Sequence, residues 1–184
     1  MTSIQQGYGL IEVYTGDGKG KTTASLGLAL RAVGAGKKVG IIFFDKGGKH
    51  YSERKSLQEK FGGLIDFVVT GRDRINETTK RFDFSITDED KKEAARGLLE
   101  ARRMFADGYH LVILDEFNTA AGLELFSEAE ALKFLKEKPS HLELVLTGRH
   151  ALPSILEQAD LVTEMKMIKH YYYQGVKARE GLDY

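Results

Sequence analysis

The sequence predicts an α/β fold in three layers, a mostly parallel sheet flanked by helices. Three observations carry this. Leu10-Ile11-Glu12-Val13-Tyr14 is followed by a glycine-rich stretch and then by Ala24-Ser25-Leu26-Gly27-Leu28-Ala29-Leu30, which reads as strand, turn and helix. Val39-Gly40-Ile41-Ile42-Phe43-Phe44 and Leu111-Val112-Ile113-Leu114 are apolar runs of strand length, the pattern of strands covered on both faces. Strand and helix patterns then alternate along the chain, which is how a parallel sheet is built.

The length, 184 residues, suits one domain with a substantial core. No linker, repeat or low-complexity tract divides it, so a single domain over 1–184 is expected. Acidic and basic residues balance at 27 each, so no global field recruits nucleic acid or an anionic membrane. The absence of cysteine excludes disulfides, thiol catalysis and zinc-thiolate sites. No apolar run is long enough to span a bilayer, and residues 1–8 read as a loose polar leader. The expectation is a soluble cytoplasmic protein.

The first strand feeds Thr15-Gly16-Asp17-Gly18-Lys19-Gly20-Lys21-Thr22-Thr23. Glycines let backbone N–H groups converge on one anion, and the following helix adds its positive end. Lys21 supplies a cation for a phosphate chain and Thr22 a hydroxyl for Mg²⁺. Thr15 stands where the usual Walker A pattern has its first glycine; Gly16 and Gly18 can form the turn instead. In the helix, Leu26, Leu30 and Val33 fall on one face, which predicts the buried stripe. Gly36 is placed to cap it.

The second strand, 39–44, opens into Asp45-Lys46-Gly47-Gly48-Lys49-His50-Tyr51 at the sheet edge where such folds bind ligands. Lys46 or Lys49 either meets a phosphate there or belongs to a solvated loop. A helix over about 52–60 and a strand over 64–69 follow. Residues 71–86 form a long irregular segment, read either as a lid touching substrate or as a small satellite core around its phenylalanines. Thr87 and Asp90 resemble a capping box that opens a helix with Ala94, Leu98, Ala101 and Phe105 inward.

Leu111-Val112-Ile113-Leu114-Asp115-Glu116 reads as a Walker B strand, delivering two carboxylates to the ligand edge, one of them for Mg²⁺. Ser127 and Glu130 make another capping box. The strand at 142–146 ends in Thr147-Gly148-Arg149, which brings a guanidinium to the edge that holds Lys21, for a phosphate or as a surface arginine. Pro153 starts a short helix, and Leu161-Val162-Thr163 is the last strand. The histidines show no metal-ligand spacing and read as solvated or structural.

These motifs describe a Mg²⁺-dependent nucleoside triphosphate binder without naming its reaction. The phosphate loop, Arg31-Ala32-Val33-Gly34, Gly36-Lys37-Lys38-Val39-Gly40, Asp115-Glu116, Thr147-Gly148-Arg149, Ala159-Asp160, Lys169-His170 and the end Gly175-Val176-Lys177-Ala178-Arg179 with Gly181-Leu182-Asp183-Tyr184 together resemble the P-loop-type ATP:corrinoid adenosyltransferases. The likeness spans about residues 9–184, and Thr15 in the loop is itself a trait of that family.

The resemblance implies a RecA-like P-loop NTPase fold, a homodimer, and ATP and a reduced corrinoid as substrates, with a reducing flavoprotein as a possible further partner. A Co(I) corrinoid attacks the ribose C5′ of ATP, held in reverse of the usual P-loop direction, and triphosphate leaves. Lys21, Arg31, Arg149, Thr22 and Mg²⁺ would stabilise that leaving group, within a loop formed by Gly16, Asp17, Gly18, Lys19, Gly20 and Thr23. Glu116 would coordinate Mg²⁺, with Asp115 beside it, and residues 166–184 would form a functional tail. The alternative is a P-loop ATPase or kinase that kept the scaffold without corrinoid binding. Relatives place aromatic residues, a tryptophan among them, after the glycine corresponding to Gly71. Here Arg72-Asp73-Arg74 stands there and the chain has no tryptophan. Phe82, Phe84 or Tyr51 are the substitutes in view, unless the substrate is an early corrinoid without its nucleotide tail or differs altogether. The arginines are candidates for corrin carboxylates or phosphates, so Arg74→Ala is expected to weaken corrinoid affinity.

Overall fold

The structure is a computed structural model and describes residues 9–74 and 83–184. Its centre is a six-stranded sheet in the order β3-β2-β4-β5-β1-β6. In chain order the elements are β1 (Ile11–Thr15), α1 (Lys21–Gly34), β2 (Val39–Phe43), α2 (Ser52–Phe61), β3 (Ile65–Val69), α3 (Asp88–Ala106), β4 (Leu111–Asp115), α4 (Phe117–Gly122), α5 (Glu128–Lys136), β5 (Glu143–Thr147), α6 (Pro153–Leu156) and β6 (Leu161–Glu164), then a 3₁₀ turn at Tyr171–Gln174. Every described strand pair is parallel, so the sheet goes beyond the expected mostly parallel one.

Two cores explain why the central strands are apolar throughout. Ile41, Phe43, Leu111 and Ile113 point to one face and pack with Ala29 of α1 and Leu57 of α2. Their neighbours Ile42, Phe44, Val112 and Leu114 point to the other, against α3, α4, α5 and α6. The period of two in a strand sorts a continuous apolar run into both layers.

Both capping boxes form as expected, Thr87 with Asp90 and Ser127 with Glu130. Ala94, Leu98, Ala101 and Phe105 are buried along α3. Of the stripe expected on α1, Leu26 and Val33 pack partly buried against the core, while Leu30 departs from the expectation. The buried residues of the helix are Lys21, Ser25 and Ala29, while Leu30 is 55% exposed. Lys21 must sit under the phosphate loop, and that fixes the helix phase at i, i+4 and i+8. The helix α4 carries no apolar period of its own in the sequence and follows directly from the end of β4. No described helix is long and apolar enough to cross a membrane.

Candidate active site

The loop after β1 is shaped by glycine and by a second backbone segment. Gly16 and Gly20 have φ of +96° and +119°, a region where a side chain is strained. Gly20 sits at the N-cap of α1, so the first-turn N–H groups have no intrahelical partner and are free for an anion. The Gly18 N–H donates to the Met165 carbonyl at 2.7 Å, and the Met165 N–H donates to the Thr15 carbonyl at 2.8 Å. A Cβ on Gly16 or Gly18 would lie 2.5 or 2.6 Å from the Met165 oxygen. The loop therefore closes against the backbone segment leaving β6, and only glycine fits there. Thr15 accepts a bond from the Ala151 N–H at 3.3 Å through its hydroxyl.

Lys21 is buried, and its ammonium donates to the carbonyls of Gly16 at 2.7 Å and Gly18 at 2.8 Å. Burial pulls its pKa below the ordinary lysine value, against the pull of Glu116. Lys21, Thr22, Thr23 and Arg149 line one cleft of about 340 Å³, together with Asp17, Gly18, Lys19, Gly20 and Glu116.

The second half of the site comes from β4 and β5. Register sets Phe43 beside Asp115 and Tyr14 beside Thr147, which levels the strand ends at one edge. Asp115 is buried and accepts a bond from the Thr147 hydroxyl at 2.7 Å. The same hydroxyl accepts the Glu116 N–H at 3.0 Å. Glu116 itself has φ +61°, a conformation rarely held by a residue with a side chain and one that clusters at functional sites. The Thr119 hydroxyl donates to its carboxylate at 2.5 Å and accepts the Arg149 N–H at 3.0 Å.

Lys46 reaches into this group. Its ammonium is ion-paired to Asp115, lies 3.1 Å from the Thr22 hydroxyl and 3.9 Å from a Glu116 oxygen. Burial lowers its pKa, but the Asp115 and Glu116 carboxylates more than offset this and raise it. The residues Thr22, Asp115 and Glu116 are the set expected to hold Mg²⁺. They are hard oxygen donors, the chemistry Mg²⁺ prefers, and an ammonium already seated among them marks a position that attracts a cation.

The tail covers the cleft. His170, Tyr171, Tyr172, Val176, Ala178, Leu182 and Asp183 line the side opposite the phosphate loop. Lys19 is ion-paired to Asp183 and donates to the Leu182 carbonyl at 2.6 Å and the Tyr171 hydroxyl at 3.1 Å. Its charge is thus engaged with the tail. Arg179 adds a 3.0 Å bond to Asp183. The Lys19 and Tyr171 bonds hold the Asp183 carboxyl well below the usual carboxylate range. A second space of about 590 Å³ adjoins, sharing Thr22, Lys46, Tyr51 and Leu182 with the first.

The structure places two groups of the expected site residues away from this cleft. Arg31 lies in the last turn of α1, ten residues from Lys21, or about 15 Å along the helix. It lines a separate groove with Leu10, Glu12 and Glu143, at the opposite edge of the sheet. Arg72 and Arg74 line neither space of the site. Arg72 bonds Asp90 at 3.0 Å and Asp83 at 2.6 Å. Arg74 is 5% exposed and bonds Asp45 at 2.7 Å and Asp90 at 3.2 Å. A buried guanidinium needs anionic partners, and this chain supplies three aspartates for the two arginines. Tyr51 borders both spaces of the site; Phe84 is 83% exposed and lines neither, and Phe82 lies outside the described residues.

Sequence reasoning did not assign Thr147, Thr119 or Met165. Thr147 was visible as a polar residue closing an apolar strand. Met165 contributes only backbone, which leaves no residue signature.

A family model described as ATP:corrinoid adenosyltransferase BtuR/CobO/CobP matches residues 7–184. The chain is 39% identical over 186 residues to a corrinoid adenosyltransferase of Escherichia coli K12, covering all of this chain and 90% of that one. It is 37% identical over 185 residues to the corrinoid adenosyltransferase CobA of Salmonella typhimurium LT2, again covering all of this chain and 90% of that one. A corrinoid adenosyltransferase of a Sinorhizobium species is 37% identical over 177 residues, covering 96% and 80%. With a phosphate loop, a paired-carboxylate strand and a tail folded over both, this chain belongs to the ATP:corrinoid adenosyltransferase family.

Proposed function

We propose that this site transfers the 5′-deoxyadenosyl group of ATP to the Co(I) of a corrinoid. The cobalt donates its electron pair to C5′, the C5′–O bond breaks, and triphosphate leaves with the bonding electrons. The reading is carried by the convergence of Lys21, Thr22, Glu116 and Arg149 on one covered cleft, with Asp115 joined to it through Lys46, in a chain of this family. The protein's work is to position C5′ and to neutralise a highly charged leaving group. Lys21 and the loop amides would grip the polyphosphate, laid in reverse of the usual P-loop direction, and Arg149 would meet its oxygens. Thr22, Asp115 and Glu116 would hold Mg²⁺, which when bound adds positive charge against the triphosphate.

Residues 166–184 act, on this reading, as a roof of the one domain, and the adjoining space beside Tyr51 receives the corrinoid face. A homodimer fits the exposed edge strand β6, where Leu161 and Val162 are 43% and 47% exposed. A cytoplasmic setting and supply of electrons by a flavoprotein fit a Co(I) substrate. The ATPase or kinase alternative is not favoured by the family.

The test is incubation with ATP, Mg²⁺ and a chemically reduced corrinoid. The expected products are a light-sensitive cobalt–carbon compound and triphosphate, both lost in Lys21→Ala. ADP and orthophosphate without an adenosylated corrin would overturn the reading.

A further inference from the structure

The cation position between Thr22, Asp115 and Glu116 already has a tenant from the chain itself. Lys46 leaves the end of β2, and its backbone is pinned on several sides. Its N–H donates to the Thr70 carbonyl at 3.0 Å, and its carbonyl accepts from the Arg54 guanidinium. Asp45, at φ +50°, is clamped by Arg74 at 2.7 Å. The backbone is thereby fixed, while the ammonium sits at the end of a flexible four-carbon stem.

That ammonium is within 3.1 Å of the Thr22 hydroxyl and is paired to the Asp115 carboxylate. These oxygens are the ones that would hold Mg²⁺, so the ammonium and the metal cannot occupy the position together. The charge logic favours exchange. Without any cation, Asp115 and Glu116 would be adjacent carboxylates in a poorly solvated place. When polyphosphate enters, it offers the ammonium new anionic oxygens in the cleft that Lys46 also lines.

We propose that Lys46 is a placeholder cation: it holds Thr22, Asp115 and Glu116 together and yields their oxygens to Mg²⁺ only when ATP enters the cleft. Metal uptake is then conditional on nucleotide. This rests on the Mg²⁺ site proposed above. Lys46 is a positioning residue here, and its effect is read on metal binding rather than on turnover.

The experiment measures Mn²⁺ binding by electron paramagnetic resonance on the full chain without nucleotide. Wild type is expected to bind weakly, and Lys46→Met and Lys46→Gln at least tenfold more tightly. Lys46→Arg, which keeps the charge, should stay with wild type. Mn²⁺ should also raise the melting temperature of Lys46→Met more than that of wild type. Equal Mn²⁺ affinity in wild type and the neutral variants would overturn the placeholder. Glu116→Gln, measured with ATP present, separates the two readings. If it weakens Mn²⁺ binding while the Lys46 variants match wild type, the metal site stands and the placeholder falls. If it leaves Mn²⁺ binding unchanged, both fall.

Discussion

At the scale of single residues, the site depends on side chains that hold other side chains. Thr147 bridges Asp115 and the Glu116 N–H, and Thr119 bridges Glu116 and the Arg149 N–H. Two hydroxyls thus set the direction of two acids and the place of one arginine. Arg74 works the same way at one remove, through Asp45 and the loop that carries Lys46. Its burial among Asp45 and Asp90 makes Arg74→Ala a stability variant. Removing one partner from a buried ion network costs on the order of 3–5 kcal/mol. We expect a loss of about 3 kcal/mol in urea unfolding, with corrinoid affinity of the folded protein changed less than about twofold. A normal unfolding midpoint with weakened corrinoid binding would return the arginine to the ligand site. The arginines were legible in the sequence as a departure from relatives. Their partners were not, because Asp45 and Asp90 lie 29 and 16 residues from Arg74.

At the scale of elements, the phosphate loop is completed by the segment that follows β6. The Met165 carbonyl and N–H lock the loop from outside. Gly18→Ala would place a methyl group 2.6 Å from that carbonyl oxygen, against backbone rather than a movable side chain. We expect ATP affinity to fall at least tenfold and stability by about 1–3 kcal/mol, the range for a strained backbone site. Gly27→Ala, where a Cβ meets nothing within 4 Å, should leave both unchanged or slightly raise stability. Calorimetric titration and thermal unfolding of the pair check this. The capping boxes and the α3 stripe were readable because they are local and periodic. The phase of α1 was not, since Lys21 and the sheet beneath it set which residues face inward, and Leu30 loses to Ser25 and Ala29.

At the scale of the whole molecule, the tail over 166–184 returns to the phosphate loop after β1. Lys19 and Asp183 close this circuit, with Tyr171 and Arg179 alongside. The tail is largely exposed and contributes no residue to either buried core. Removal of residues 179–184, which carry Arg179 and Asp183, should therefore spare the fold and harm the site. A chain ending at residue 178 is expected to unfold within about 1 kcal/mol of wild type, since exposed ion pairs are worth roughly 0–1 kcal/mol. Its ATP dissociation constant should rise at least fivefold in calorimetric titration. Unchanged ATP affinity would mean that residues 179–184 take no part in nucleotide binding.

The sequence alone determined the parallel α/β architecture, the phosphate loop, the paired acids and the family, because each is written in local periodicity or contiguous motif. Only the tertiary structure decided that Lys46 sits among the Thr22 and Asp115 oxygens, that Arg31 faces the far edge of the sheet, and that Arg72 and Arg74 pair with aspartates. Those outcomes depend on which charges the sheet order brings within a few ångströms, and electrostatic pairing between distant parts of a chain leaves no period to read.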